Sequence, residues 1–271
     1  MQNLNNVENT VLGAATAVVA VVALQPTVYL KNAAQQGRSA FTLNPRILYR
    51  GMGAALSAEI GQMALQFFLT GYIKRLVAGA EQAQLNPVQE MSSALLGGAI
   101  SAIYTSPVEL AMIQQQNFGG SLFSTAGRIV QQRGVVGLTR GFVATASRDG
   151  VYTLGLLGIL PVLESRFQRW FGLGESSAGV LASCLGGSLC GVASCPLDAI
   201  KTCMQGDINR STYGSFRNTW SMLQKEKRLF GGVGWRVLNI SGTLIIANEF
   251  RIRATPYLFP GKVAAGGAGH H

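Results

Sequence analysis

Charged residues are scarce in this sequence. Only 13% of its 271 residues are Asp, Glu, Lys or Arg, against about 25% in a typical soluble domain. Hydrophobic residues make up 48%, and glycine is abundant with 34 copies. Charges are costly in hydrocarbon, and small residues let transmembrane helices approach closely. The composition therefore excludes an ordinary soluble domain and indicates a membrane protein.

Several targeting and catalytic signals are also missing. The opening MQNLNNVEN contains no base, unlike a secretory signal or an Arg-rich transit peptide, so we expect targeting to be internal. No nucleophile–base set, phosphate-binding loop or metal-ligand cluster is evident, so neither an enzyme nor a cofactor or metal is expected. The cysteines fit no metal spacing and favour small apolar fillers of one helix: Cys184, Cys190, Cys195 and Cys203.

Long apolar stretches are present instead. A membrane-crossing helix needs about 20 mainly apolar residues, and the sequence predicts six such spans: 9–35, 52–75, 90–116, 142–164, 177–205 and 237–255. An even number of spans places both termini on the same side of the membrane.

The net charge of +10 is unevenly distributed. Most bases lie after the first, third and fifth spans, and the positive-inside rule places these loops in the compartment from which the chain inserts. The bases flank apolar spans without an interleaved aromatic face, so nucleic acid is not an expected partner. The bases concerned are Arg38, Arg46, Arg50, Arg128, Arg133, Arg140, Arg210, Arg217, Lys225, Lys227, Arg228 and Arg236.

The sequence repeats three times. The segments QPTVYLKNAAQ, SPVELAMIQQQ and CPLDAIKTCMQ share a proline, Pro26, Pro107 or Pro196, and a glutamine nine residues later. Each proline is expected to kink its helix. Three units of two spans each predict an all-α, three-fold pseudo-symmetric bundle of six transmembrane helices with short connecting helices. The expected repeats are 9–80, 88–170 and 177–260 within a single membrane domain, 1–271, and 261–271 is expected to be a flexible tail.

The third repeat carries a recognisable motif. PLDAIKTCMQ matches the pattern P-x-[DE]-x-x-[KR] through Pro196, Asp198 and Lys201. A second marker, aromatic-base-glycine, is complete in Tyr49-Arg50-Gly51, lacks the aromatic in Thr139-Arg140-Gly141, and lacks the glycine in Trp235-Arg236-Val237. Over residues 9–260 the chain resembles the mitochondrial carrier family. The resemblance implies alternating access across the inner mitochondrial membrane, with basic loops in the matrix and both termini toward the intermembrane space.

The resemblance also implies a gate on the matrix side. The acid of each repeat pairs with the base of the next, which predicts Asp198 with Lys31 and Glu109 with Lys201. The third pair falls on Val28 and Met112, so both charges are absent together. Replacing both partners of a buried ion pair by apolar groups can be nearly neutral, and a flexible methionine fills such a gap. These six residues are the predicted matrix gate; the alternative is that its four charged members are merely solvated, which charges within membrane spans seldom are.

The corresponding motif at the opposite end is degraded. We located this motif by counting from the aromatic-base-glycine marker of each repeat. The acid positions of the motif fall on Gly71, Pro161 and Tyr257, and the base positions fall on Lys74, Glu164 and Pro260. No repeat keeps an acid–base pair. Lys74 and Glu164 are expected to make one contact at most.

Substrate positions lie seven and eight residues after each marker glycine in the family. They read Ala58-Glu59, Arg148-Asp149 and Leu244-Ile245. The middle pair resembles that of amino-acid carriers, since a guanidinium binds a carboxylate through two hydrogen bonds and Asp149 can receive an ammonium group. The alternative is that Arg148 and Asp149 pair with each other and bind nothing.

Two functions follow from this resemblance. The first is exchange of a small, amino-acid-like metabolite. The second is a transport-inactive structural subunit of a large inner-membrane complex, such as a respiratory one. The markers also suggest bound cardiolipin, because a helix N-terminus beside a base attracts phosphate; the residues concerned are Arg50, Gly51, Arg140, Gly141 and Arg236.

Overall fold

The computed structural model describes residues 6–38, 42–79 and 85–258, and every regular element in these ranges is a helix. The tail predicted for 261–271 lies outside the described residues. The long helices are α1 Asn6–Gln35, α3 Met52–Ala78, α4 Pro87–Phe118, α8 Glu175–Gly206 and α10 Val233–Leu258. The remaining long helix joins α6 Phe142–Leu154 and α7 Leu160–Phe171 through a π-helical turn, Gly155–Ile159.

These elements confirm the predicted all-α fold with six spanning segments. Three segments are long and apolar enough to cross a membrane on their own: Leu12–Gln35, Val88–Phe118 and Ser176–Gly206. Of the other three, α3 and α10 carry charged residues such as Glu59 and Arg236, and the fourth segment is divided by its π-helical turn into α-helices of 13 and 12 residues. The sixth helix begins at Val233, four residues before the predicted span.

The six long segments close into a ring. Each packs against the next in chain order, and α10 returns to α1. Small residues allow the close approaches: a Cβ on Gly98 would lie 2.5 Å from the backbone oxygen of Asp149, and one on Gly187 would lie 3.0 Å from Cα of Ser241. Such contacts are typical of packed transmembrane helices.

The three predicted prolines occupy equivalent places in this ring. Pro26, Pro107 and Pro196 lie inside the continuous helices α1, α4 and α8. A proline in a helix interior removes one backbone hydrogen bond. The charged gate residues follow within one or two turns, at the end of the ring that we call the gate end.

The second long segment of each repeat, α3, α6 or α10, begins just after a glycine in the left-handed conformation. The glycine before α10 corrects the sequence analysis. Gly51, Gly141 and Gly232 have φ of +79°, +81° and +70°, a region that glycine adopts without strain. Each glycine oxygen accepts a hydrogen bond from the amide four residues later. The third marker is therefore Phe230-Gly231-Gly232, and the sequence-based assignment to Trp235-Arg236-Val237 is five residues too late.

Packing supports this correction. A Cβ on Gly51 would lie 3.1 Å from the oxygen of Met112, and one on Gly232 would lie 3.1 Å from the oxygen of Lys31. Met112 and Lys31 are the base positions of repeats two and one. Each of these glycines thus fits against the gate helix of the following repeat, where a side chain would not fit.

Within each repeat, short helices connect the two long segments at the gate end. They are α2 Pro45–Leu48, α5 Leu122–Arg133, a 3-10 turn Val135–Thr139 and α9 Phe216–Lys225. In the described part of the first connection, the helix α2 is a single turn of four residues. After α8, partial burial of Asp207 opposes its ionisation, but hydrogen bonds from the N–H groups of Tyr213 (2.8 Å) and Thr212 (2.7 Å) bring its pKa below the ordinary value.

Candidate functional site

A cavity of about 90 Å³ lies at the centre of the ring. All six long segments contribute to its lining. Seven charged side chains face it, an unusual concentration for a membrane interior, where ionisable groups generally mark functional sites. They are Lys31, Glu59, Glu109, Arg148, Asp149, Lys201 and Arg236.

Both ion pairs expected in the matrix gate are formed. Nζ of Lys31 lies 2.7 Å from Oδ2 of Asp198, and Nζ of Lys201 lies 3.0 Å from Oε2 of Glu109. All four side chains are buried. Gln35 donates a further hydrogen bond of 2.8 Å to Asp198. Because each pair joins two different repeats, both contacts hold the gate end closed.

The third gate position is apolar, as the sequence suggests. Met112 is buried in a cluster with Val21, Ala54, Ala55 and Ile113, and Val28 packs against this cluster. The flexible thioether fills the space without introducing a charge.

Arg148 has more partners than the sequence predicts. Its Nη1 and Nη2 lie 2.8 and 3.0 Å from the two carboxylate oxygens of Glu109, a bidentate arrangement, and it also pairs with Asp149. Asp149 in turn accepts hydrogen bonds from Thr105 (2.8 Å) and Gln62 (3.3 Å). In this conformation the guanidinium is therefore occupied by protein carboxylates.

Arg236 and Arg140, expected beside lipid phosphates, have internal partners instead. Arg236 is buried, and its Nη1 lies 2.9 Å from Oδ2 of Asp198. Arg140 is also buried and donates to the backbone oxygens of Met204, Gly214 and Tyr213. A guanidinium that already has several acceptors is not available to a phosphate. Arg50 alone of the three remains exposed.

The reassignment of the third marker to Gly232 shifts the third pair of substrate positions by five residues. Counting from Gly232 gives Asn239-Ile240, and both of these residues line the cavity. Leu244 and Ile245, the positions expected from the sequence, are not among its lining residues. The other expected positions, Ala58-Glu59 and Arg148-Asp149, do line it.

Glu59 differs from every other charged group of the cavity. Within the described ranges, its carboxylate has no hydrogen bond or ion pair. The other six charged lining residues each pair with an opposite charge. Sequence reasoning named Glu59 but missed Gln62, Tyr152 and Asn239 on the cavity wall; the spacing of three to four residues along a helix face would have indicated the first two.

The opposite end of the ring has a different arrangement from the one expected. Lys74 lies 3.5 Å from Glu90, which is on α4, and both side chains are substantially exposed. Counting from Gly232 moves the third acid and base positions to Ile252 and Thr255, which carry no charge. Pro260, the position first expected, lies beyond the described residues.

Comparison with known proteins agrees with this architecture. A family model described as "Mitochondrial carrier protein" matches residues 83–169. The chain is 29% identical to "Mitochondrial dicarboxylate/tricarboxylate transporter DTC" of Arabidopsis thaliana over 71% of its own length and 72% of that protein. These matches make the chain similar to mitochondrial carrier proteins. The proteins matched are named as mitochondrial carriers or transporters, which agrees with the expected multi-pass, inner-membrane architecture.

Two further relatives show how far the similarity extends. "Mitochondrial uncoupling protein 6" of Arabidopsis thaliana is 26% identical over 64% of this chain, and the alignment spans about half (55%) of that relative. "Mitochondrial glycine transporter" of Emericella nidulans is 32% identical over 43% of the chain and 37% of that protein. The relatives are thus named for several different substrates or activities.

Proposed function

We propose that this chain is a mitochondrial carrier that exchanges a small metabolite with an amino group across the inner mitochondrial membrane by alternating access. Its gate end faces the matrix and both termini face the intermembrane space, as the basic loops around α2, α5 and α9 favour. The conformation described here is the one closed toward the matrix, because two buried ion pairs join neighbouring repeats there.

The free carboxylate of Glu59 is the observation that carries this proposal. It faces a cavity in which the other charged groups are already paired, so an ammonium group is the complement that it lacks. An isolated charge in a low-dielectric site is unfavourable until it gains a partner. A cationic group of the substrate supplies that partner.

Arg148 gives the substrate its second expected feature. It faces the same cavity as Glu59 and holds Glu109 through two parallel hydrogen bonds. A substrate carboxylate offers the same bidentate geometry and competes with Glu109 for the guanidinium. The substrate class is therefore amino-acid-like. A relative named for glycine, which carries both an ammonium and a carboxylate group, supports this choice.

Exchange in proteoliposomes tests the proposal. Vesicles containing the purified full chain and unlabelled amino acids are supplied with labelled glycine, other amino acids, or dicarboxylates as a comparison. Glu59→Gln is expected to reduce amino-acid exchange at least about tenfold, the effect of losing about 1.4 kcal/mol of binding. Glu90→Gln, which removes an exposed acid outside the cavity, is the matched control. Exchange of dicarboxylates alone, unaffected by Glu59→Gln, would contradict the proposal.

A second candidate is a transport-inactive structural subunit of a large inner-membrane complex. The observation that favours it is the full occupancy of Arg148 by Glu109 and Asp149, together with the uncharged far-end positions at Gly71, Pro161, Ile252 and Thr255. Native-gel migration of the endogenous protein distinguishes the two. Co-migration with a large complex, and no exchange of any tested metabolite, supports the structural role.

Lipid binding is a smaller part of the proposal. Arg50 is exposed next to Gly51, at the start of α3, and the backbone amides that follow are directed toward an anion. Cardiolipin phosphate is the expected ligand. At Gly141 the helix N-terminus is available to a lipid phosphate. The side chains of Arg140 and Arg236 are not part of the proposed lipid sites, because their guanidinium groups have internal partners.

A further inference from the structure

Each acid of the matrix gate is held by two cations of different origin. Glu109 of repeat two binds Lys201 of repeat three, at 3.0 Å, and Arg148 of its own repeat, at 2.8 Å. Asp198 of repeat three binds Lys31 of repeat one, at 2.7 Å, and Arg236 of its own repeat, at 2.9 Å, both through Oδ2. Arg148 and Lys201 lie farther away, 3.6 and 3.7 Å from its Oδ1. For both acids the closest lysine comes from an odd-numbered span of another repeat, and the closest arginine comes from the even-numbered span of the same repeat.

Repeat one lacks the acid and also lacks the arginine. Its acid position is Val28, and the positions that correspond to Arg236 and Arg148, four and seven residues after the marker glycine, are Ala55 and Ala58. The arginine is thus present in the two repeats that have a gate acid and absent in the one that does not. This distribution links the arginines to the acids.

We propose that Arg148 and Arg236 neutralise the gate acids when the lysines leave. Opening the gate end separates the repeats, which move largely as rigid bodies in transporters of this kind, and so breaks the lysine contacts. An acid left without a partner in a buried site is strongly disfavoured. An arginine of the same repeat moves with its acid and keeps it paired. The inference rests on the proposed function, since it requires that the gate end opens.

A different role for the arginines predicts the opposite effect. If Arg236 only strengthens the closed gate, its removal makes opening easier, as removal of Lys31 does. If Arg236 stays with Asp198 in both states, its removal leaves the closed state with Lys31 in place, but in the open state it leaves Asp198 with only the longer contact to Lys201, at 3.7 Å. Opening then becomes rarer.

A native cysteine can report the opening. Cys203 is buried at the end of α8, and its Sγ lies 3.2 Å from the backbone oxygen of Gln35 at the end of α1. These two helix ends belong to repeats three and one, so their separation exposes the thiol. The full chain with its other cysteines changed to alanine, purified in lipid nanodiscs, carries this single reporter for N-ethylmaleimide.

We expect the labelling rate of Cys203 to change in opposite directions when the two closest cations of Asp198 are replaced. Lys31→Gln speeds labelling of Cys203, whereas Arg236→Gln slows it at least about threefold and Arg236→Lys keeps the original rate. Arg253→Gln, an arginine replaced on the exposed part of the same helix, leaves the rate unchanged. Thermal unfolding confirms that each variant is folded before labelling.

Other outcomes overturn the inference. Faster or unchanged labelling in Arg236→Gln means that this arginine does not support the open state. Labelling that occurs in no folded variant, including the parent, means that the gate end never opens, and the proposed transport fails together with this inference. If the parent is labelled and the Arg236→Gln variant is labelled faster, the gate end does open but Arg236 does not stabilise the open state. That result refutes this inference and leaves the proposed transport standing.

Discussion

The two ends of the helix ring differ in how they are held together. At the gate end, buried acids and bases from all three repeats form a connected network around Glu109 and Asp198. At the opposite end, the described residues include one partly exposed pair across helices α3 and α4, Lys74 with Glu90 at 3.5 Å. Exposed pairs contribute little to stability, whereas removing one partner of a buried pair is costly. The comparison teaches that buried ion pairs hold the gate end closed, whereas the cross-helix pair described at the other end is partly exposed.

The largest expected effect comes from removing an acid at the gate end. Asp198→Asn leaves Lys31 and Arg236 buried without their shared counter-charge. We expect the free energy of unfolding to fall by about 3–5 kcal/mol, the usual cost of breaking a buried ion pair. Thermal unfolding of the purified chain in detergent measures the change. A shift no larger than that of Glu90→Gln would refute the contrast between the two ends.

The apolar gate position provides a sharper test of the pairing rule. Val28→Asp and Met112→Lys each place an unpaired charge in the cluster and are expected to destabilise the protein by about 2–4 kcal/mol. The double variant supplies both charges, so it should recover about 1–3 kcal/mol relative to the sum of the single changes. Unfolding of all three variants gives the coupling free energy. Simple additivity would show that the two positions do not face each other.

The corrected helix start makes a smaller and more local prediction. Gly232→Ala forces a side chain into a left-handed conformation and toward the backbone oxygen of Lys31, at a cost of about 1–2 kcal/mol. Val237→Ala, at the position first taken as the marker, lies within an ordinary helix and serves as the comparison. Equal stability of the two variants, measured by thermal unfolding, is the outcome that argues against Gly232 as the marker.

The smallest effect is expected at the opposite end. Lys74→Gln removes a pair in which both side chains are at least partly exposed, so the unfolding free energy should change by less than about 1 kcal/mol. The same measurement on Lys31→Gln provides the comparison across the molecule. A large loss at Lys74 would mean that the opposite end depends on this contact after all.

Much of the fold was predictable because its signals are local and repeated. The prolines, the apolar spans and the small residues recur three times, so one ambiguous segment is supported by the other two. The two lysine–acid pairs were predictable for the same reason, since Lys31, Asp198, Glu109 and Lys201 occupy matching places in their motifs. The apolar pair at Val28 and Met112 followed because both charges are missing together.

The errors arose where one repeat departs from the others. Repeat three has a base at Arg236 beside an aromatic residue, which resembles the marker, while the true marker Phe230-Gly231-Gly232 has lost its base. Backbone conformation resolves the ambiguity. Of the two candidate positions, Gly232 and Val237, only Gly232 has the left-handed φ that Gly51 and Gly141 also have. The five-residue error then carried through to Leu244 and Ile245.

The sequence by itself determined the six spans, the three repeats and the charges available to a gate, because spacing along a helix is set by the chain alone. Only the tertiary structure decided which charges meet. Arg148 and Arg236 reach the gate acids across a helix interface, and their partners lie about 40 residues away in sequence (148 against 109, and 236 against 198). Such contacts depend on how closely neighbouring helices pack, and this is set by small residues and left-handed glycines acting together around the ring. The same packing leaves Glu59 as the carboxylate that faces the cavity without a protein partner among the described residues.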